Sequence, residues 1–223
     1  MELTPKDWET LARSKLFTGI GEARLKELLP CLGATRRDYP AGAAVIAEGE
    51  QVQDVGLVLS GHARSLKAVK NGPPLIISLQ ERGSFLGVLL AASRTRKSPL
   101  TVEAQDALSV LFFPAERLIF PCEKSCEDHA LLLRNFLDSV AEMSLTLNDR
   151  IECLIRPSVR EKITAYLSRV SKERGETQFS IPLDRSAMAR YLNVERSALS
   201  RELSRMKSEG LIDYRKNVFC LKG

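Results

Sequence analysis

The sequence predicts an α+β fold in two domains, and two features of its 223 residues carry that prediction. Between about residues 35 and 113, short β-rich runs alternate with recurrent glycines, which favours an antiparallel β-roll, or jelly roll. After residue 157 the order helix, strand, helix, turn, helix, hairpin is typical of a winged helix-turn-helix. We therefore predict a sensor domain over residues 1–156, with a long dimerisation helix at about 125–155, and a second domain over residues 157–223.

Composition and charge narrow the class of protein. The chain has 44% hydrophobic and 27% charged residues, which suits a soluble globular protein. No apolar run approaches the roughly 18 residues that a membrane span needs, and the N-terminus has no secretory signal pattern. We expect a cytoplasmic protein without a membrane partner. From Pro157 onwards, 14 Lys and Arg stand against 8 Asp and Glu, which predicts a polyanionic partner for that part or simply a basic surface.

The N-terminal half is predicted to start with helices and continue in strands. Leucines punctuate the first 30 residues at helical spacing, at Leu11, Leu16, Leu25, Leu28 and Leu29. Glycines then recur at 42, 49, 56, 61, 72, 83 and 87, and strands are predicted at 44–46, 55–59, 75–79 and 108–113. Asn71-Gly72 predicts a tight hairpin turn, because both residues tolerate positive φ.

A second helical block, from about Pro114 to Ile155, carries a seam with 4-3 spacing. Its members are Leu133, Leu137, Val140, Ser144, Leu147, Ile151 and Leu154. Such a seam predicts a homodimeric coiled coil, although it could also face its own domain. Arg156-Pro157 should end the helix, because proline lacks an amide hydrogen and disfavours helix in the residue before it. We expect a domain boundary and hinge there.

The last third has the pattern of a recognition helix. After an amphipathic helix at Ser158–Val170 and a strand at 178–181, helices are predicted at Asp184–Tyr191 and Glu195–Glu209, with Asn193 and Gly210 in left-handed conformations. The first of the two should bury Ala187, Met188, Tyr191 and Leu192. The second should bury Ala198, Leu199, Leu203 and Met206 and expose Arg196, Ser197, Ser200, Arg201, Arg205 and Lys207. A helix that is apolar on one side and rich in serine and arginine on the other suits the DNA major groove, the alternative being a solvated bundle face.

The whole chain resembles the cyclic-AMP receptor protein / fumarate-nitrate regulator family of bacterial transcription factors. The motifs are Tyr39–Gly42, Glu48–Glu50, Val58–Gly61 and Gly83–Gly87 in the β-roll, and Leu199–Leu203 and Glu209–Ile212 in the second domain. The resemblance implies a homodimer that binds a palindromic site in double-stranded DNA, gated by a small effector, and that contacts RNA polymerase if it activates transcription.

The resemblance also implies residue roles in DNA binding. Arg196, Ser197, Ser200 and Arg201 fall where the family contacts base edges and nearby phosphates, and Arg185 falls where it contacts a phosphate. Many members carry glutamate at the position of Ser197. A glutamate accepts from cytosine and a serine does not do so with the same selectivity, so the DNA target should differ.

The effector residues implied by the resemblance are Gly87, Val88, Leu89, Lys97, Ser98, Leu147 and Asn148. Members that bind cyclic nucleotides have a glutamate after the glycine and an Arg-Ser-Ala further on, whereas this chain has Val88 and Lys97-Ser98-Pro99. Valine cannot accept a hydrogen bond, and lysine lacks the bidentate fork of arginine. Cyclic AMP is therefore disfavoured. The basic run 94–97 suits an anionic effector or a solvated loop, and no cofactor is assigned.

Other functions have weaker support. The iron–sulfur cluster found in some members needs cysteines grouped near the N-terminus, and only Cys31 is there. Cys122 and Cys126, four residues apart, leave thiol-redox sensing open, and His62 is more simply a turn histidine than a haem ligand. The sequence contains no nucleophile with a plausible base, no phosphate-binding glycine loop and no metal-ligand cluster, so it does not predict an enzyme. The alternative to effector gating is a ligand-independent or thiol-redox-responsive regulator whose β-roll serves only dimerisation.

Overall fold

The computed structural model describes residues 2–120 and 127–222, with the side chain of Glu127 left out. Its internal contacts form two compact units. One contains the chain up to Lys67 and Ile77–Leu145, and the other contains Ala68–Ile76 and the chain from Thr146 onwards. None of the described helices is long and apolar enough to cross a membrane. Cys122 and Cys126, the proposed redox pair, lie outside the described residues.

The first unit begins with the predicted helices. Helix α1 (Pro5–Arg13) is fixed by a capping box in which Thr4 and Asp7 exchange hydrogen bonds, and a 3-10 turn (Lys15–Phe17) leads to α2 (Glu22–Leu32). All five predicted leucines are at most 5% exposed. The helices therefore contribute one apolar face to the core, as their spacing predicted.

The β-roll consists of two four-stranded antiparallel sheets. Their orders are β1-β8-β3-β6 and β2-β7-β4-β5. The strands are β1 (Thr35–Tyr39), β2 (Ala44–Ile46), β3 (Asp54–Ser60), β4 (Ala63–Lys67), β5 (Leu75–Gln80), β6 (Phe85–Leu86), β7 (Thr101–Ala104) and β8 (Leu108–Pro114). The four predicted strands are confirmed, and the antiparallel roll with them.

The central strands β3 and β8 are buried on both faces, because successive side chains point to opposite sides of a sheet. Val55, Leu57 and Phe113 join a core cluster with the N-terminal helices. Val58 and Val110 join a second cluster with Ile46, Ala63 and Val102 of the other sheet. The roll thus has one apolar layer between its sheets and another between one sheet and the helices.

The hairpin turn predicted at Asn71-Gly72 is wrong in its length. Strand β4 ends at Lys67 and β5 begins at Leu75, so residues 68–74 connect them rather than a two-residue turn. Only Gly72 of the pair has a positive φ, at 121°, whereas the tight turn requires it at both residues. The strands do pair, but the turn is a longer loop that the dipeptide alone does not specify.

Three further helices lie between Gly87 and Arg156. Helix α3 (Val88–Ala91) follows Gly87, α4 (Ala115–Ile119) follows β8, and α5 spans Glu127–Ile155. Leu132 and Phe136 of α5 are at most 2% exposed in the helix-facing cluster. The long helix ends at Ile155, directly before Arg156-Pro157, as predicted.

The C-terminal elements follow the predicted order. They are α6 (Val159–Arg174), β9 (Gln178–Ser180), α7 (Arg185–Leu192), α8 (Arg196–Ser208), β10 (Ile212–Arg215) and β11 (Val218–Leu221), and the strands form a sheet of order β10-β11-β9. Leu167, Met188 and Leu203 are at most 1% exposed. Helices α6, α7 and α8 pack around this core against the small sheet, which is a winged helix-turn-helix.

Candidate nucleic-acid interface

The turn between α7 and α8 is set by local backbone chemistry. Asp184 caps α7 by accepting a hydrogen bond from the backbone nitrogen of Ala187 at 2.7 Å. Asn193 ends the helix in the left-handed conformation, at φ 50° and ψ 58°. Asparagine tolerates this conformation better than most residues. The prediction for Asn193 is confirmed, and it fixes where α8 begins.

Helix α8 divides into two faces. Leu199, Leu203 and Met206 are at most 3% exposed, and Ala198 is half-buried. The six polar and basic residues predicted for the other face are all exposed. The amphipathic division predicted from the sequence is therefore confirmed, and the helix is anchored on one side only.

The N-terminal turns of α8 present free cations. Among the described residues, neither Arg196 nor Arg201 forms an ion pair or a side-chain hydrogen bond, whereas Arg205 pairs with Glu209 at 3.1 Å and Lys207 with Asp213 at 2.6 Å. An arginine without an internal partner keeps all five donors for phosphates or guanine edges. The two basic side chains of α8 predicted to bind DNA are thus uncommitted, whereas Arg205 and Lys207, further along the helix, pair with acidic residues of their own chain.

A partly exposed ion-pair network joins α8 and its C-terminal cap to α6. Arg160 donates from Nε to Glu202 and from Nη1 and Nη2 to Glu209, the latter at 2.7 and 2.9 Å. These carboxylates raise the pKa of Arg160 above its ordinary value. A bidentate pair has a defined geometry, so it orients α8. Sequence reasoning missed this contact because its partners are more than 40 residues apart.

The side chain of Arg185, which was predicted to contact a phosphate, already has partners in its own chain. Its guanidinium carbon lies 4.6 Å from the ring centroid of Tyr214 and 5.0 Å from that of Phe219, and Nη2 donates to the carbonyl of Lys216 at 3.1 Å. Burial against the two rings lowers its pKa from the ordinary value. Arg185 therefore connects α7 to the hairpin, and any phosphate contact would use its remaining donors.

The hairpin tip carries two exposed cations that the sequence reasoning did not assign. Arg215 and Lys216 are exposed where β10 turns into β11, and Lys216 has a φ of 53°. Positive φ is uncommon for a residue with a side chain, so this tip has a defined shape. The sequence signal that could have identified these two cations is the polar turn between two apolar strands.

The predicted effector residues are divided between the two units. Gly87 has a φ of 74°, and a Cβ there would lie 2.9 Å from the carbonyl oxygen of Asp54. Val88 is 1% exposed and belongs to the helix-facing core cluster, and Leu89 is half-buried. Leu147, half-buried, and Asn148, exposed, belong to the other unit.

The remaining effector residues differ in how far they are committed. Ser98 is 2% exposed, and its hydroxyl donates to the carbonyl of Leu100 at 2.6 Å. Arg96 is held by Gln53 and Glu116, at 3.2 and 3.5 Å. Lys97 and Arg94 are exposed, with no side-chain partner among the described residues. The basic run thus offers two free cations rather than four polar groups.

Comparison with known proteins decides the family. A family model described as the cyclic nucleotide-binding domain matches residues 36–124, and one described as the Crp-like helix-turn-helix domain matches residues 161–222. A protein described as a probable transcriptional activator of Rhizobium leguminosarum is 27% identical in an alignment of length 188, which covers 79% of this chain and 72% of that protein. The chain belongs to the Crp/Fnr family of transcription regulators.

Solved structures agree on the fold. FixK2 from Bradyrhizobium japonicum superposes with a TM-score of 0.70 at 21% identity, covering 85% of this chain and 93% of that one. The c-di-GMP responsive regulator CLP of Xanthomonas campestris superposes with a TM-score of 0.71 at 19% identity, covering 91% and 100%. These structures show the same fold, and the DNA-binding domain of the regulator is the Crp-like helix-turn-helix matched at residues 161–222.

The long helix α5 of this Crp/Fnr regulator has an uncovered apolar face. Within the 4-3 seam, Leu137 and Ile151 are 58% and 57% exposed and Ser144 is exposed, whereas Leu133, Val140, Leu147 and Leu154 are half-buried. Leu145 and Ile155, outside the seam, are 66% and 71% exposed. One edge of the seam thus packs on its own chain, and the other edge is apolar and uncovered.

His62 and Cys153 carry side chains of the kinds that proteins use in sensing. The Nδ1 of His62 donates to the carboxylate of Asp106 at 2.6 Å, and the backbone nitrogen of His62 donates to the same carboxylate at 2.7 Å, as in a structured turn. Cys153 is buried, which raises the pKa of its thiol. In residues 2–120 and 127–222, no three His, Cys, Asp or Glu side chains are grouped to hold a metal.

Proposed function

We propose that the regulator is a homodimer that reads a two-fold symmetric DNA site with α8 as its recognition helix. The observation that carries this proposal is the exposed, unpaired state of Arg196 and Arg201 at the start of an otherwise anchored helix. Ser197 and Ser200 are exposed beside them and suit base edges or phosphates. Arg185 would add a phosphate contact that fixes orientation without reading sequence.

Dimerisation through α5 supports this arrangement. Monomeric soluble proteins rarely expose contiguous large apolar patches, and the exposed face of α5 includes Leu137, Leu145, Ile151 and Ile155. A second copy of the same helix would cover this face with a coiled-coil seam. Two recognition helices would then enter major grooves about 34 Å apart.

Gating by a small anionic effector other than cyclic AMP is the second part of the proposal. Val88 supplies no hydrogen-bond acceptor, and the hydroxyl of Ser98 is already used by Leu100. Arg94 and Lys97 offer positive charge without a competing partner. The c-di-GMP responsive regulator shows that a protein of this fold is responsive to another anion. We further propose a cytoplasmic location, and contact with RNA polymerase if the regulator activates.

Selection of bound DNA from a random pool, with and without small molecules from a cell extract, tests both parts. We expect the enriched sites to be palindromic, and the amount of bound DNA to change when small molecules are added. Enriched sites without two-fold symmetry would contradict the dimeric arrangement. Unchanged binding would contradict effector gating and favour a β-roll that serves dimerisation alone or responds to thiol oxidation, which a matched pair of reduced and oxidised samples would reveal.

A further inference from the structure

Arg150, near the end of α5, is held by backbone groups rather than by an acid. It is 7% exposed, and its Nη2 donates to the carbonyl oxygen of Ile76 at 3.0 Å and to that of Tyr191. Its guanidinium carbon also lies 3.6 Å from the centroid of the Tyr191 ring. A single nitrogen therefore joins the start of β5 to the last turn of α7.

This arrangement leaves the guanidinium incompletely satisfied. Nε and Nη1 of Arg150 are buried without a hydrogen-bond partner, and no described acidic side chain forms an ion pair with it. Burial accordingly lowers the pKa of Arg150 from its ordinary value. A buried charge without a counter-charge is unfavourable, and water would satisfy the free nitrogens if the contact opened. The contact therefore has a specific geometry, and opening it costs little free energy.

Tyr191, one of the two residues that Arg150 contacts, lies just before the turn that begins α8. The Tyr191 hydroxyl accepts a hydrogen bond from Arg169 at 3.0 Å, and its ring lies 5.0 Å from that of Tyr166, so the tyrosine is fixed on α6. Asn193, the turn residue before α8, follows two positions later. Whatever holds the carbonyl of Tyr191 thus also restrains the start of α8.

We propose that Arg150 is a releasable latch between the β4–β5 hairpin and the helix-turn-helix, so that movement of the hairpin frees α7 and α8. Arg150 is a positioning residue, because it acts on DNA binding through Tyr191. The inference rests on the effector gating proposed above and supplies its route. The hairpin residues Ala68–Ile76 belong to the same compact unit as the chain from Thr146, which is consistent with such coupling.

Amide hydrogen exchange of the full chain, without DNA or effector, tests the latch. In Arg150→Met, peptides covering 68–80 and 185–195 should both exchange about threefold to tenfold faster, the factor expected for losing one net hydrogen bond at each end. Arg169→Met is the matched control. It also removes an arginine that contacts Tyr191, but Arg169 belongs to α6 and not to α5. It should leave the exchange of peptide 68–80 unchanged.

Arg150→Lys keeps the charge but lacks the planar group that lies over the Tyr191 ring, and it carries the test if Arg150→Met does not fold. Unchanged exchange in either region, or acceleration of only one region, would overturn the latch. Because the measurement uses no effector, it can succeed even if effector gating fails.

Operator titration at several salt concentrations adds a second readout. The affinity of the Arg150 variant should change at least threefold with an unchanged salt slope, since no phosphate contact is removed. A changed slope would assign Arg150 to the DNA interface instead.

Discussion

At the scale of single residues, the uncommitted arginines of α8 should carry sequence recognition. Arg201→Ala should weaken binding to the selected site by about 1–3 kcal/mol and relax base preference at one position, because a bidentate contact to a base edge is lost. Arg205→Ala is the matched control, since Arg205 already pairs with Glu209. Titrations on the selected and on random DNA measure both effects. Equal weakening on the two DNAs would assign Arg201 to the phosphate backbone.

Arg185 provides the opposite expectation. Its replacement by alanine should weaken binding to all sequences similarly, because a phosphate contact carries no base information. The same change removes the guanidinium from the rings of Tyr214 and Phe219 and should also loosen the hairpin. Thermal unfolding of the variant separates the two consequences. A loss of affinity confined to the selected site would contradict the phosphate role.

Position 61 requires glycine for two reasons: its φ is positive, and a neighbouring backbone atom lies too close for a side chain. Its φ is 82°, and a Cβ there would lie 2.3 Å from the carbonyl oxygen of Ala107. Gly83 has a φ of 87° with open space around it, so it is a matched control. Gly83→Ala should cost about 1–2 kcal/mol from backbone strain, and Gly61→Ala at least about 2 kcal/mol more. Urea unfolding measures both, and equal losses would mean that the backbone relaxes at Gly61.

At the scale of elements, α5 should be the dimer interface. Leu137→Glu and Ile151→Glu should each weaken the dimer about a hundredfold or more, because two symmetry-related apolar side chains are lost from it, at about 1.5–3 kcal/mol each. Both positions are more informative than Leu147, which is half-buried in its own chain. Asp149→Ala, exposed on the same helix, is the control. Light scattering that finds the unaltered chain monomeric would refute the proposal.

Elements whose ends depend on one backbone position were predictable from the sequence. Asn193 and Gly210 have φ values of 50° and 76° and follow α7 and α8, as predicted. Helix α6 instead continues to Arg174, four residues beyond the predicted end at Val170, and ends at Gly175, which has a φ of 67°. The Asn71-Gly72 turn failed because the length of the connection depends on where the two strands stop pairing. The contacts of Arg150 and Arg160 were also beyond prediction, because their partners are distant in sequence.

At the scale of the whole molecule, the sequence indicated the two halves of the fold but not the arrangement of the sensor residues. Periodicity assigns a valine to a buried position, yet it does not say which of two apolar layers will contain it. Val88 lies in the layer that faces the helices. Leu147 and Asn148 belong to a different compact unit from Gly87 and Lys97. The identity of an effector is therefore better tested on the intact protein than inferred from a motif.

Cyclic AMP should neither bind tightly to the regulator nor change its affinity for DNA. Val88 provides no acceptor for the ribose hydroxyls, and it is too deeply packed for a neighbouring solvent molecule to replace one. Lys97 cannot form the two parallel hydrogen bonds with which a guanidinium grips a phosphate. Each unmet group costs about 1–3 kcal/mol, so two together should weaken binding roughly a hundredfold or more. Calorimetry with cyclic AMP, followed by operator titration at the same concentration, measures both quantities. Micromolar binding that also shifts DNA affinity would show that other residues form the site, with Asn148 and Arg96 the first to replace.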